Sequence, residues 1–360
     1  MNAQRENNGI LIRGASRLPV LLEQLDIPIR VSVNADFAHY SLNTDYAAQV
    51  APDYDTLELN ARLGLNTLND ARDLEREILL AMLLSPVAFE FPSEAELVAQ
   101  VHMRMYIVQA ARKTQLDFHT TEAERPTDCW TYHEDTGFTI LPGESLISAL
   151  RKATQPEDAK QAYSFSCYRA SEYVLLLGIA QELQQCNPEL FAQLQRQWEV
   201  KAIMSGKFHD VFLREYGSME QPLPLKYYVP GDRLWFRNPD AHSSDVTGYE
   251  GSWVMYMGGG LFTNFWKREQ PFSMAGKCIE IYHWRNATYR DEAGELQLDE
   301  RKVGELVQET LQHPDEIERI LRLMLRLREP AGVYVDGGCI DTSREYPRWV
   351  CPGTSDMILP

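Results

Sequence analysis

Basic residues are scarce in this chain: 35 lysines and arginines stand against 52 aspartates and glutamates, a formal net charge of −17. Nucleic acid and anionic membranes both require a basic face, so neither is an expected partner. Basic partners and lysine-bearing substrates suit the charge better. No stretch approaches the roughly 20 consecutive apolar residues of a membrane span. The opening residues, Met1 to Asn8, contain no apolar signal-peptide region. This leads to the expectation of a cytoplasmic chain, or one exported without an N-terminal signal. Cysteine is limited to Cys129, Cys167, Cys186, Cys278, Cys339 and Cys351, with no CxxC pair. That spacing fits neither a zinc site nor a small disulfide scaffold, and the even count leaves pairing open. No metal and no cofactor is called for. Internal repeats and low-complexity tracts are also missing. What is present is 360 residues, 44% hydrophobic and 24% charged, enough for one large soluble domain or a core with extensions.

Apolar runs at residues 10–12 and 29–33 predict short strands, and the Asn-, Asp-, Tyr- and Thr-rich stretch 36–68 reads as loops. A helix is expected over 71–84, ending near Ser85-Pro86. Ser93 with Glu96 forms a capping-box signature before a helix with Leu97, Val101, Met105 and Val108 on one face. Residues 114–145 read as loop and short strands, followed by helices over 145–153, from Cys167 onward, and over 188–201. From Tyr227 the pattern changes to strands at 234–236, 252–257, 261–265 and 277–284, the second and third forming a hairpin. An amphipathic helix is expected over 316–328, and the tail from Pro330 is rich in Gly and Pro. Helices followed by a mostly antiparallel sheet make the fold class α+β. The organisation is an extension over 1–70, a core over 71–290 and a helical and loop extension over 291–360.

The residue that stands out is Cys167. It follows Ser164-Phe165-Ser166 and opens a strongly apolar segment through Val174, Leu175, Leu176 and Leu177. With Ser164 as N-cap, Cys167 falls at the third helical position. The positive end of the helix dipole and unpaired N–H groups there favour thiolate, the nucleophilic form. A thiol nucleophile needs a base or charge partner, and a polar third group often orients it. Glu250 can present a carboxylate beside the strand at 252–257. His283 shares a strand face with Ile279 and Ile281, and Asn264 is a candidate orienting group.

From about Glu77 to Trp284 the chain resembles the small transglutaminases of spore-forming bacteria. These are protein-glutamine γ-glutamyltransferases with a papain-like, NlpC/P60-type core. The resemblance rests on Ser85-Pro86-Val87-Ala88-Phe89-Glu90-Phe91, on Phe165-Ser166-Cys167 before an apolar helix, and on Gly231-Asp232-Arg233-Leu234-Trp235-Phe236-Arg237-Asn238-Pro239. It covers a little over half of the chain. It implies cysteine-dependent acyl transfer from a protein glutamine to a lysine, or deamidation, through a thioester at Cys167. It also implies aromatic substrate contacts at Phe208, Tyr249 and Phe118, with His209 in a wall of the site. Ser166, Ser252 and Asn264 stand where the family carries two acidic residues and a histidine, which leaves Glu250 and His283 as the candidates to activate the thiol. Two other readings use the same fold. One is a papain-like cysteine peptidase or toxin-type effector, its terminal extensions meeting a partner or immunity protein. The other is a non-catalytic binding protein.

Overall fold

The structure, a computed structural model, describes residues 8–14, 16–34, 36–118, 123–157, 161–329 and 337–360. Residues 1–7, read for a signal peptide, and 330–336 of the Gly- and Pro-rich tail lie outside the described residues. The two N-terminal apolar runs form strands as expected. β1 (Ile10–Arg13), β2 (Ile29–Val33), β3 (Phe37–Leu42) and β4 (Phe89–Phe91) make a sheet in the order β2–β3–β1–β4. The helix α1 (Leu18–Gln24) connects β1 to β2. The stretch 36–68 is more regular than expected, because β3, α2 (Thr44–Val50) and α3 (Leu59–Leu63) lie within it. One of its polar residues caps a helix. The Asn43 side chain accepts from the backbone N–H of Asp45 at 3.0 Å and turns β3 into α2.

Next come α4 (Ala71–Leu83) and α5 (Glu94–Lys113). Ser93 caps α5 by accepting from the Glu96 N–H at 3.3 Å. The reciprocal half of the expected capping box is not made. The buried Glu96 carboxylate instead accepts from the N–H groups of Val350 and Cys351, at 3.0 and 2.8 Å, and ties down the C-terminal segment. β5 (Asp117–Phe118), the hairpin β6 (Trp130–His133) and β7 (Gly137–Ile140), α6 (Leu146–Thr154) and β8 (Ser164–Phe165) lead to α7 (Cys167–Cys186). α7 is buried on every side from Ala170 to Ala180, so it is the central helix of the molecule. α5 packs along it at very close range: a methyl group added at Gly178 would lie 2.5 Å from the Ile107 side chain. α8 (Pro188–Val200) and α9 (Gly206–Phe212) follow.

The second half supplies the strands β9 (Leu213–Tyr216), β10 (Arg233–Arg237) and β11 (Gly251–Met255), then the short pair β12 (Leu261–Phe262) and β13 (Phe272–Ser273). After these come α10 (Met274–Trp284), the hairpin β14 (Thr288–Arg290) and β15 (Leu296–Leu298), α11 (Glu300–Thr310), α12 (Pro314–Met324) and β16 (Arg344–Pro347). β9, β10, β11 and β16 form an antiparallel sheet in the order β11–β10–β16–β9, so a strand from the C-terminal stretch sits inside it. Met255 and Tyr216 face the core around α7, whereas Leu234, Phe236 and Val254 face a second core with α10 and α12. The molecule is therefore mixed helix and sheet. Among the described residues no helix is long and apolar enough to cross a membrane.

Two expected strands differ. The one over 261–265 shortens to β12, which pairs with β13 and joins the end of β11 through the Tyr256–Phe262 bridge and the hydrogen bonds between Thr263 and Met255. The one over 277–284 is helical, as α10. Ser273 caps it, accepting from the Gly276 N–H at 3.0 Å. Met274, Cys278, Ile281 and Trp284 then share a face at spacings of three and four. The alternation of Ile279 and Ile281 mimics a strand, but the cap and the helical stripe satisfy more groups.

One buried ion pair holds the sheet to the helices. Asp232, in the turn before β10, accepts from Arg104 of α5 at 2.8 Å, and both side chains are fully buried. Asp232 also accepts from the Val229 N–H at 2.8 Å and from the Tyr216 hydroxyl. Removing one member of such a pair leaves an uncompensated charge, at a cost of about 3–5 kcal/mol. Urea unfolding of Asp232→Ala should show a loss of that size, and a loss below about 1 kcal/mol would contradict the assignment.

Candidate active site

The buried helix α7 starts at Cys167. Ser166, not Ser164, is the N-cap, accepting from the Arg169 N–H at 3.3 Å. Cys167 is thus the first helical residue rather than the third. Ser164 is in β8, whose parallel pairing with β5 sets Phe118 opposite Phe165, beside the thiol. The other side is built by the sheet. In β10 and β11 alternate residues share a face, and Trp235 pairs directly with Trp253. Their rings stack at 6.2 Å, and Tyr168 meets Trp253 edge-on at 5.3 Å. Arg233 lies 4.7 Å from the Trp253 ring centre and is held from behind by Glu345, which also binds His209 at 2.6 Å.

These walls enclose a pocket of about 260 Å³ lined by Phe118, Cys167, Tyr168, Trp235, Glu250 and Trp253, among others. Cys167 keeps partial solvent contact. Burial is nevertheless the largest influence on its thiol and pushes the pKa up. Backbone hydrogen bonds from Trp253 and Tyr168 and the charge of Lys277 oppose that rise, while Glu250 reinforces it. Lys277, in the first turn of α10, is 5% exposed. Its ammonium pairs with Glu280 at 2.9 Å and lies 4.1 Å from the centre of the Phe272 ring. Gly251 is required at the pocket edge, since an added methyl would fall 2.2 Å from the Trp235 indole nitrogen.

A family model for protein-glutamine gamma-glutamyltransferase matches residues 58–353. The chain belongs to this transglutaminase family. Membership makes it an acyltransferase of the transglutaminase kind, acting on protein glutamine side chains. Among solved structures, it is similar to a transglutaminase from Geobacillus stearothermophilus determined without its C-terminal extension. The likeness is 18% identity over 60% of this chain and 98% of that one, with a TM-score of 0.40. No curated protein sequence matches it.

Of the transglutaminase residues expected from sequence, the fold brings Cys167, Glu250 and Phe118 to one pocket. Tyr249 stands one ring back, 5.9 Å from Phe118, with its hydroxyl on Glu300 at 2.7 Å. Phe208 is buried and packs on Phe212. His283 does not reach the pocket. It lies on α10 rather than on a strand, buried, with Nε2 2.7 Å from the Thr310 hydroxyl. Asn264 is engaged in its own turn, donating to the Gln270 carbonyl and accepting from the N–H groups of Trp266 and Lys267. His209 stands behind Arg233 rather than on the pocket surface.

Lys277, Trp235 and Trp253 were missed as site residues. The tryptophans were readable from strand parity, since Trp235 and Trp253 each occupy the middle of a strand. Lys277 was not, because the segment was read with strand parity. Its influence can be measured on Cys167 directly, by following iodoacetamide alkylation of that residue against pH by peptide mapping. Lys277→Met should move the alkylation midpoint upward, and Lys277→Arg should restore most of the shift. An unchanged midpoint in Lys277→Met would show that the lysine does not act on the thiol.

Proposed function

We propose that Cys167 is the acyl-accepting nucleophile of this transglutaminase and that Glu250 is its proton carrier. The observation that carries this reading is the shared pocket, with the thiol at a helix start, a carboxylate at the rim and aromatic walls between them. The arrangement of α7 against the antiparallel sheet supports a papain-like core. All the groups invoked lie within residues 71–290, the stretch proposed as the catalytic core.

In the proposed reaction Glu250 takes the proton from Cys167, and the thiolate attacks the glutamine carboxamide carbon. The oxyanion is received by the backbone N–H groups of Tyr168 and Trp253, a role supported by their hydrogen bonds to the Cys167 sulfur. The C–N bond breaks, and Glu250 returns the proton to the departing ammonia, leaving a thioester on Cys167. A lysine amine then loses a proton to Glu250 and attacks the thioester. The C–S bond breaks, the thiolate is regenerated and an isopeptide is released. Water in place of the amine gives deamidation. Phe118 on one side and Trp235 and Trp253 on the other form a slot for an aliphatic lysine or glutamine stem. Their exclusion of water favours transfer over hydrolysis. Tyr249 supports Phe118 from behind.

The test is incorporation of a labelled primary amine into a glutamine-bearing protein, with ammonia release measured in parallel. Cys167→Ala should abolish both signals. Glu250→Gln should lower them on the order of 100-fold. Asn264→Ala should stay within about tenfold of the parent, because its contacts are local to its turn. Full activity in Glu250→Gln would remove the carboxylate from the mechanism, and full activity in Cys167→Ala would remove the thiol.

A further inference from the structure

Four of the six cysteines, scattered in sequence, meet in pairs. Cys278 hydrogen-bonds to Cys339, and both are fully buried in the core beneath α10 and α12. Cys186, in the last turn of α7, hydrogen-bonds to Cys351 of the C-terminal segment. The second pair differs from the first in access, because Cys186 is only half-buried. The surrounding backbone is fixed on both sides. Asn187, next to Cys186, donates through its side chain to the carbonyl of Val350, next to Cys351, at 2.8 Å. The Cys351 N–H donates to Glu96 at 2.8 Å, and the Thr354 hydroxyl donates to the same carboxylate at 2.6 Å.

We propose that Cys186 and Cys351 form a reversible disulfide with small-molecule disulfides as oxidant, tying the C-terminal segment to the end of the nucleophile helix opposite Cys167. The two thiols are unequal in the way such chemistry needs. The hydrogen bond from Cys351 lowers the pKa of Cys186, against burial and against the charges of Glu182 and Glu96. Cys351 is pushed up, first by that same bond and then by burial and by Glu96. His102 is the neighbouring histidine, its Nδ1 3.4 Å from the Glu182 carboxylate. A low-pKa, accessible thiol beside a second cysteine is the arrangement that oxidises reversibly. Cys186 as thiolate attacks one sulfur of the small disulfide and expels the first thiolate, forming a mixed disulfide. Cys351 loses its proton and attacks the Cys186 sulfur, which expels the second thiolate. The protein loses two hydrogens overall, and the oxidant is reduced to two thiols. The step uses no group of the Cys167 pocket and does not depend on the proposed acyl transfer.

The experiment treats the folded, reduced full chain with oxidised glutathione. The reaction is quenched in acid, free thiols are alkylated under denaturing conditions, and unreduced digests are mapped by mass spectrometry. The expected product is a cross-linked peptide pair carrying Cys186 and Cys351, two hydrogens lighter than the reduced pair. Cys278 and Cys339 should be recovered alkylated, because no oxidant reaches them. In Cys351→Ser, Cys186 should stop as the glutathione mixed disulfide. Recovery of both Cys186 and Cys351 as alkylated thiols in the parent chain would overturn the proposal, as would a persistent mixed disulfide on Cys186 there. Linkage of Cys278 to Cys339 at the same rate would overturn the claim that access selects the pair. The parent-chain result stands whether or not the variant folds.

Discussion

The buried Arg104–Asp232 pair is the constraint on which the site depends. Asp232 lies in the turn that leads into the strand carrying Trp235, and Arg104 belongs to the helix that packs against α7 at the close contact between Ile107 and Gly178. The pair therefore sets the sheet at a fixed height beside α7. Since α7 is buried on every side from Ala170 to Ala180, it has little freedom to slide, and its first residue is held opposite β11. A thiol on a loop would have no such reference. Here the position of Cys167 relative to Trp253 and Glu250 follows from packing that lies one layer away.

The chemistry of the pocket comes from environment more than from a fixed triad. Burial pushes the pKa of the Cys167 thiol up. Two backbone amides and a lysine from the opposite core work against that. Ser166, where the family has an acid, uses its hydroxyl to cap α7. In the proposed mechanism the carboxylate is that of Glu250, from the bend before β11. Glu250 raises the thiol pKa as a charge, but in the proposed mechanism it acts as a proton acceptor. A base beside a thiol must do both. In the proposed mechanism the thiolate forms in the aromatic slot as the substrate enters it.

Much of this was readable from sequence where a segment has one dominant requirement. The apolar run after Cys167 admits only a buried helix, and the Gly231-Asp232 turn with its strand follows from local residue choice. Glu250 could be placed by counting back from Ser252. Misreadings arose where two periods fit the same letters. Residues 277–284 satisfy both a strand and a helix pattern, and only the Ser273 cap and the packing against α12 decide between them. That choice moved His283 toward Thr310 and brought Lys277 within electrostatic range of the thiol. Long-range pairing was also hidden. Nothing local in Arg344, Glu345 or Tyr346 shows that they form a strand between β9 and β10, nor that Glu96 holds the chain just beyond them.

The central claim is that Cys167 carries the acyl group. It is tested most directly by mixing the enzyme with a glutamine-containing peptide in the absence of amine, quenching in acid within the first turnover and mapping the adduct by mass spectrometry. The account predicts a peptide acyl group on Cys167, attached as a thioester that hydroxylamine releases and that does not form in Cys167→Ser. Turnover of the peptide with no adduct on Cys167, or an adduct on another cysteine that turns over at the catalytic rate, would contradict it.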